Sequence, residues 1–132
     1  MLAALVLAAA CAGWHGAVVG QYRGEVESFA LDTQGRPDRT LKAIDTVVEE
    51  TQAGLAGSYT LHEPTRDVTG TLEPIGDEDC NVALFKWTDL YGTGLARLRF
   101  FPDAHCFEGS WGVSEVNPKL VWRSCTQTRV TS

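Results

Sequence analysis

From Gly57 to Cys125 apolar and polar residues alternate in short runs divided by turns rich in glycine and proline. A period of two in runs of this length predicts antiparallel strands with one buried face. Tyr59 and Leu61 share a face in one run, Val68, Gly70 and Leu72 in the next, and Glu63-Pro64-Thr65-Arg66 joins them as a hairpin. Pro74 to Asp79 reads as an acidic loop. Asn81 to Trp87 is apolar on both faces, with Ala83, Phe85 and Trp87 opposite Val82 and Leu84, which predicts a strand with neighbours on both sides. Gly92 and Gly94 close the following turn. Leu95 to Phe101 then sets Ala96, Leu98 and Phe100 against Arg97 and Arg99. After Pro102-Asp103-Ala104, His105 to Gly112 places Phe107, Gly109 and Trp111 on one face. Leu120 to Cys125 follows a loop that holds Asn117-Pro118.

Upstream, Val18 to Phe29 reads as a strand bent near Gly20 and Gly24, and Asp32 to Arg39 as a loop. Thr40 to Gln52 carries two competing periods. Leu41, Ile44, Val47 and Val48 suit a helix, but Thr46-Val47-Val48 is β-branched and Glu49-Glu50 would oppose the dipole at a helix C-terminus, so a strand is the better reading. The total is about seven or eight strands in an all-β antiparallel meander, curled into a barrel or a small sandwich; a barrel also removes exposed edges.

Registers extend this picture. Pairing Phe85 with Leu95 and Trp111 with Leu120 places Cys80 near Phe100 and Cys106 opposite Cys125. Cys80 is then two strand spacings from Cys106, about 9–10 Å, beyond the roughly 7 Å that a disulfide spans between Cα atoms. Cys106 and Cys125 are the expected bridge, and Cys80 is left as a buried or free thiol.

Gly57-Ser58-Tyr59 and Gly109-Ser110-Trp111 resemble strand openings in avidin-like and lipocalin-like barrels. That resemblance implies an architecture and carries no ligand-binding residue across. With 132 residues, one core is expected, and it occupies residues 13–125, between an export signal at 1–12 and a C-terminal tail at 126–132. Leu2 to Ala10 is an unbroken run of Leu, Ala and Val, shorter than the roughly 20 residues that span a bilayer and suited to a signal h-region. No Lys or Arg precedes Arg23. Ala8-Ala9-Ala10-Cys11 resembles the lipobox of bacterial lipoproteins, with Ala8 where Leu is usual. This implies lipidation of Cys11 and a periplasmic or membrane-anchored protein; ordinary cleavage after Ala10 or Ala12 also fits.

Charge narrows the partners. The net charge is −6, with thirteen acidic and four basic residues from Gly24 to Asp79 against four and six from Cys80 onward. Such a surface is poorly suited to nucleic acid. His15, His62 and His105 stand singly, without metal-ligand spacing, and Asp77-Glu78-Asp79 lacks the pattern of a calcium loop. There is no Gly-x-Ser-x-Gly elbow, no phosphate-cradling glycine loop and no base beside any serine. The chain therefore reads as a binding module and not as an enzyme, with no cofactor implied. Tyr59, Phe85, Trp87, Phe100, Phe107 and Trp111 are the ligand-binding candidates: they would line a cavity if the barrel has one and fill the core if it does not. Asp89 and Tyr91 sit in the turn after Trp87. A small ligand or a protein is the expected partner, with the membrane reached only through a lipid anchor. A periplasmic inhibitor of a basic enzyme such as lysozyme and a structural envelope protein without a ligand are the alternatives.

Overall fold

A computed structural model describes residues 12–31, 34–35, 37–113 and 119–126. Eight antiparallel strands run in chain order around a closed barrel: β1 (Gly20–Leu31), β2 (Pro37–Thr51), β3 (Gly54–His62), β4 (Asp67–Asp79), β5 (Val82–Asp89), β6 (Gly92–Phe101), β7 (Cys106–Gly112) and β8 (Leu120–Thr126). The barrel closes where β1 pairs with β8, from Tyr22 opposite Thr126 to Val26 opposite Trp122. The expected signal before Ala12, Cys11 with it, and the tail beyond Thr126 lie outside the described residues. Thr126 itself belongs to β8.

The ambiguous segment is a strand. In β2 the buried residues are Ile44, Thr46 and Val48, two apart, while Leu41 is 54 % exposed. Pairing with β1 and β3 on its two sides outweighs the weaker three-and-four spacing. Two expected loops are shorter than the sequence indicated. Leu31 pairs with Pro37, so β2 begins inside the Asp32 to Arg39 stretch. Pro74 to Asp79 is not a loop but the bulged end of β4, with register shifts between Pro74 and Gly76 and between Asp77 and Asp79. A bulge accommodates a proline that a regular ladder would reject, and it turns Ile75 outward. The acidic side chains there are engaged: Asp77 with His15, Glu78 with Arg97, and Asp79 with the Cys80 backbone N–H.

The β7–β8 register is the expected one, with Trp111 opposite Leu120 and Cys106 opposite Cys125. Phe85, however, pairs with Ala96 and not with Leu95. A one-residue shift reverses every side chain, and Phe85 and Ala96 are both completely buried, which demands this alignment.

One element was not anticipated. Trp14–Val18 forms a single helical turn, α1, with Trp14 and Val18 buried, four residues apart and so on one face. It closes one end of the barrel. Trp14 lies 6.0 Å from Phe100, and the Tyr22 hydroxyl donates to the Val18 carbonyl at 2.6 Å. Burial pushes the Tyr22 phenol up to about 12. Phe100 and Phe107 pack on Tyr22 and on each other at 5.1–6.0 Å, so this half of the interior is solid. The Cys106–Cys125 disulfide ties β7 to β8 at the same end. Cys80 is disulfide-bonded as well and is not the free thiol that the sequence allowed.

Outside the barrel, Arg23 and His62 both contact Asp45 at 2.7 Å, and His62 Nδ1 lies 2.9 Å from Asp67. Two carboxylates facing one imidazole favour its protonated form, so the His62 pKa is raised, most by Asp45. Asp45 is correspondingly held below the usual carboxylate range, most by Arg23.

Two outcomes follow. Because the bridge closes a separation of 19 residues, Cys106→Ser with Cys125→Ser should lower the unfolding free energy by about 3 kcal/mol in urea titrations. His62 should titrate above the ordinary histidine value of about 6.5 when followed by NMR. With a raised folded pKa, its contribution to stability is complete below that ordinary value and disappears as pH rises through the folded one. His62→Gln should remove that part of the pH dependence, and an unchanged profile would contradict the assignment.

Candidate functional site

A strand lays its inward side chains along the barrel axis at intervals of two residues. On β5 this row runs Ala83, Phe85, Trp87, Asp89, from the end closed by α1 towards the opposite mouth; on β3 it runs Tyr59 and Leu61, with Glu63 next. Each row passes from apolar or aromatic to charged. The interior changes with it, from packed rings to a cavity of about 390 Å³ at the mouth end.

Trp87, Trp111, Trp122 and Tyr59 form the aromatic walls of this cavity, together with Val26, Ile44 and Leu61. Two ring pairs stand nearly perpendicular: Trp87 and Trp111 with centroids 5.2 Å apart at 88°, and Tyr59 and Trp122 5.3 Å apart at 79°. Both geometries are the edge-to-face arrangement that aromatic quadrupoles favour. The indole N–H of Trp87 donates to the Gly112 carbonyl at 3.0 Å, and that of Trp111 to the Glu27 carbonyl at 2.8 Å. Trp122 is 2 % exposed and its indole N–H finds no acceptor among the described residues.

Two glycines make room for this arrangement. A Cβ at Gly70, directly across from Tyr59, would overlap the phenol ring. A Cβ at Gly94, across from Trp87, would collide with the Gly112 carbonyl and crowd the Trp87 indole nitrogen, the two partners of one hydrogen bond.

Charged groups ring the mouth. Lys42 Nζ donates to Glu63 Oε2 at 2.7 Å, and the side chains are 26 % and 10 % exposed. The Tyr91 hydroxyl donates to the other oxygen, Oε1, at 2.6 Å, and Arg66 approaches the same oxygen at 3.6 Å. Lys42 first, then Tyr91, holds the Glu63 carboxyl below its ordinary range. Asp89 accepts from the Tyr59 hydroxyl at 2.7 Å and from the Tyr91 backbone N–H at 2.8 Å. Burial, reinforced by the Asp89 carboxylate, pushes the Tyr59 phenol far up, so it remains a donor across the physiological range. Glu27 lines the cavity too and accepts from the Val121 backbone N–H.

Of the six aromatic candidates, Tyr59, Trp87 and Trp111 come together around the cavity. Phe85, Phe100 and Phe107 lie in the packed interior, exposed by no more than 2 %. Sequence reasoning missed Trp122 and the charged rim. Trp122 was detectable, since it alternates with Leu120 and Ser124 in a run already read as a strand. The Lys42–Glu63 pair was not, because its members are 21 residues apart and meet only through the β2–β3 pairing. Asp89 does serve the turn, by accepting from Tyr91, and it also carries Tyr59 from inside the cavity.

The arrangement can hold a molecule against aromatic surfaces and meet its polar end at the rim. Comparison with protein-family models, curated proteins and solved structures found no match, so this geometry is what bears on function.

Proposed function

We propose that the chain is a binding protein whose barrel takes up one small molecule with a substantial apolar part. The cavity carries this reading: about 390 Å³, walled by three tryptophans and a tyrosine, at the end opposite α1. An eight-stranded barrel has room either for its own side chains or for one small ligand, and here only the α1 half is filled. The volume lies within the range usual for ligand sites, about 300–1,000 Å³. Inhibition of a basic enzyme would draw support from a solid interior and a protruding acidic loop. The Asp77-Glu78-Asp79 acids are instead engaged with His15, Arg97 and backbone at a strand end.

In this reading the protein works outside the cytoplasm of a bacterium: the apolar run Leu2 to Ala10 supports export with ordinary cleavage after Ala10, and the disulfide bond at Cys80 favours this over a lipid anchor, since Cys11 is the cysteine left to pair with it once Cys106 and Cys125 are joined. An intact-mass measurement on the periplasmic fraction of a bacterial host tests that part. A chain that begins at Cys11 and carries no lipid mass is expected; a chain retaining Met1 through Ala10 would sink the export claim.

The binding claim is tested with N-phenyl-1-naphthylamine, a neutral fluorescent probe. Saturable uptake of one probe per chain is expected, with energy transfer from the tryptophans. Trp111→Ala, which removes a wall, and Leu61→Trp, which fills the cavity, should each weaken uptake by tenfold or more. No saturable uptake, or uptake indifferent to both changes, would refute the reading.

A further inference from the structure

We infer that the molecule this cavity takes carries a cationic nitrogen, as an amine or quaternary ammonium on an apolar body. The inference rests on the cavity being a binding site and adds the charge of its occupant.

Among the described residues three acidic ones line the cavity, Glu27, Glu63 and Asp89, against one basic one, Lys42. They are not equivalent. Glu63 is answered by Lys42 and by Arg66, which reaches the rim through Glu63 and the Tyr91 hydroxyl. Asp89 and Glu27 accept hydrogen bonds from neutral donors, the Tyr59 hydroxyl, the Tyr91 N–H and the Val121 N–H. Such bonds satisfy lone pairs but leave the charge uncompensated. In a partly desolvated mouth that charge acts more strongly than it would in water.

The rings add to this preference. Tyr59, which donates to Asp89, stands edge-to-face with Trp122, and Trp87, two residues before Asp89 on the same inward row, stands edge-to-face with Trp111. A cation within about 6 Å of such faces is attracted by the ring quadrupoles, most strongly by Trp, and crossed aromatic walls are how alkylated ammonium groups are recognised. The indole N–H groups of Trp87 and Trp111 and the hydroxyls of Tyr59 and Tyr91 are committed to protein acceptors. The cavity thus offers a cation acceptors and π faces. Among the described residues an anion would have to settle beside Glu63 and Asp89, with a Lys42 already bound to Glu63 as its main partner.

The test uses three molecules with the same ten-carbon tail, decyltrimethylammonium, decanol and decanoate. Each competes with N-phenyl-1-naphthylamine at neutral pH and low salt, below its micellar concentration. The expected order is the cation first, at least tenfold ahead of decanoate and ahead of decanol. Asp89→Asn should shrink the ratio between decyltrimethylammonium and decanol by about tenfold, and Glu27→Gln should act in the same direction. Circular dichroism establishes that each variant is folded.

Equal displacement by all three, or preference for decanoate or decanol, overturns the inference and leaves the binding reading standing. A cation preference that survives both substitutions overturns it too. A probe that does not bind at all removes both.

Discussion

The pairing of β1 with β8 is the constraint on which the rest depends. It closes the sheet over five residue pairs, from Tyr22 with Thr126 to Val26 with Trp122, and closure fixes the interior. An eight-stranded barrel is just wide enough for side chains to meet across it. Whatever rings the strands direct inward must either pack or leave a cavity. Val26 and Trp122, the last pair of the closure, both line the cavity, so the seam that makes the barrel also forms part of the cavity wall.

Packing and hollowness are segregated along the axis. At the α1 end, Trp14, Tyr22, Phe100 and Phe107 fill the lumen, the Cys106–Cys125 bridge fastens the last hairpin, and Tyr22 holds α1 through the Val18 carbonyl. At the mouth end the rings meet in edge-to-face pairs around a cavity, and polar contacts join the rim: Tyr59 with Asp89, Lys42 with Glu63, Tyr91 with Glu63. Because these bonds join β2, β3 and the β5–β6 turn, they hold the rim in shape without occupying the space it encloses. Removal of apolar contacts from one half is tolerable where the other half supplies the burial that drives folding.

The strands were legible because period-two burial is a local signal. β3, the start of β4, β6 and β8 all follow it, and the Cys106–Cys125 bridge follows from counting residues back along a correct β7–β8 register. Barrel as against sandwich was not legible, since the pairing of β1 with β8 joins residues about a hundred positions apart and leaves no local trace. α1 was hidden for another reason. One turn is too short to establish a period, and Trp14 and Val18 read equally well as the approach to a strand. At the site, Trp87 and Phe85 are indistinguishable in sequence. Both are inward aromatics on β5, yet one faces the cavity and the other the packed interior, and only their height along the barrel separates them.

That height also explains which polar groups lie inside. Thr46 Oγ1, Ser124 Oγ and Trp122 Nε1 are buried and have no hydrogen-bond partner among the described residues. Thr46 and Ser124 occupy inward positions where an apolar residue of similar size would fit, and an uncompensated hydroxyl there is unfavourable by about 1–3 kcal/mol. Trp122 differs because it borders the cavity. Its large ring contributes wall area against Tyr59 and Phe107, and the burial of that ring offsets one unanswered N–H. The tryptophan is kept for its faces, as are Trp87 and Trp111, whose N–H groups are turned to backbone carbonyls. A cavity built in this way presents π surface and carboxylate oxygen to its interior, and on the reading proposed above Asp89 decides the charge of what it admits.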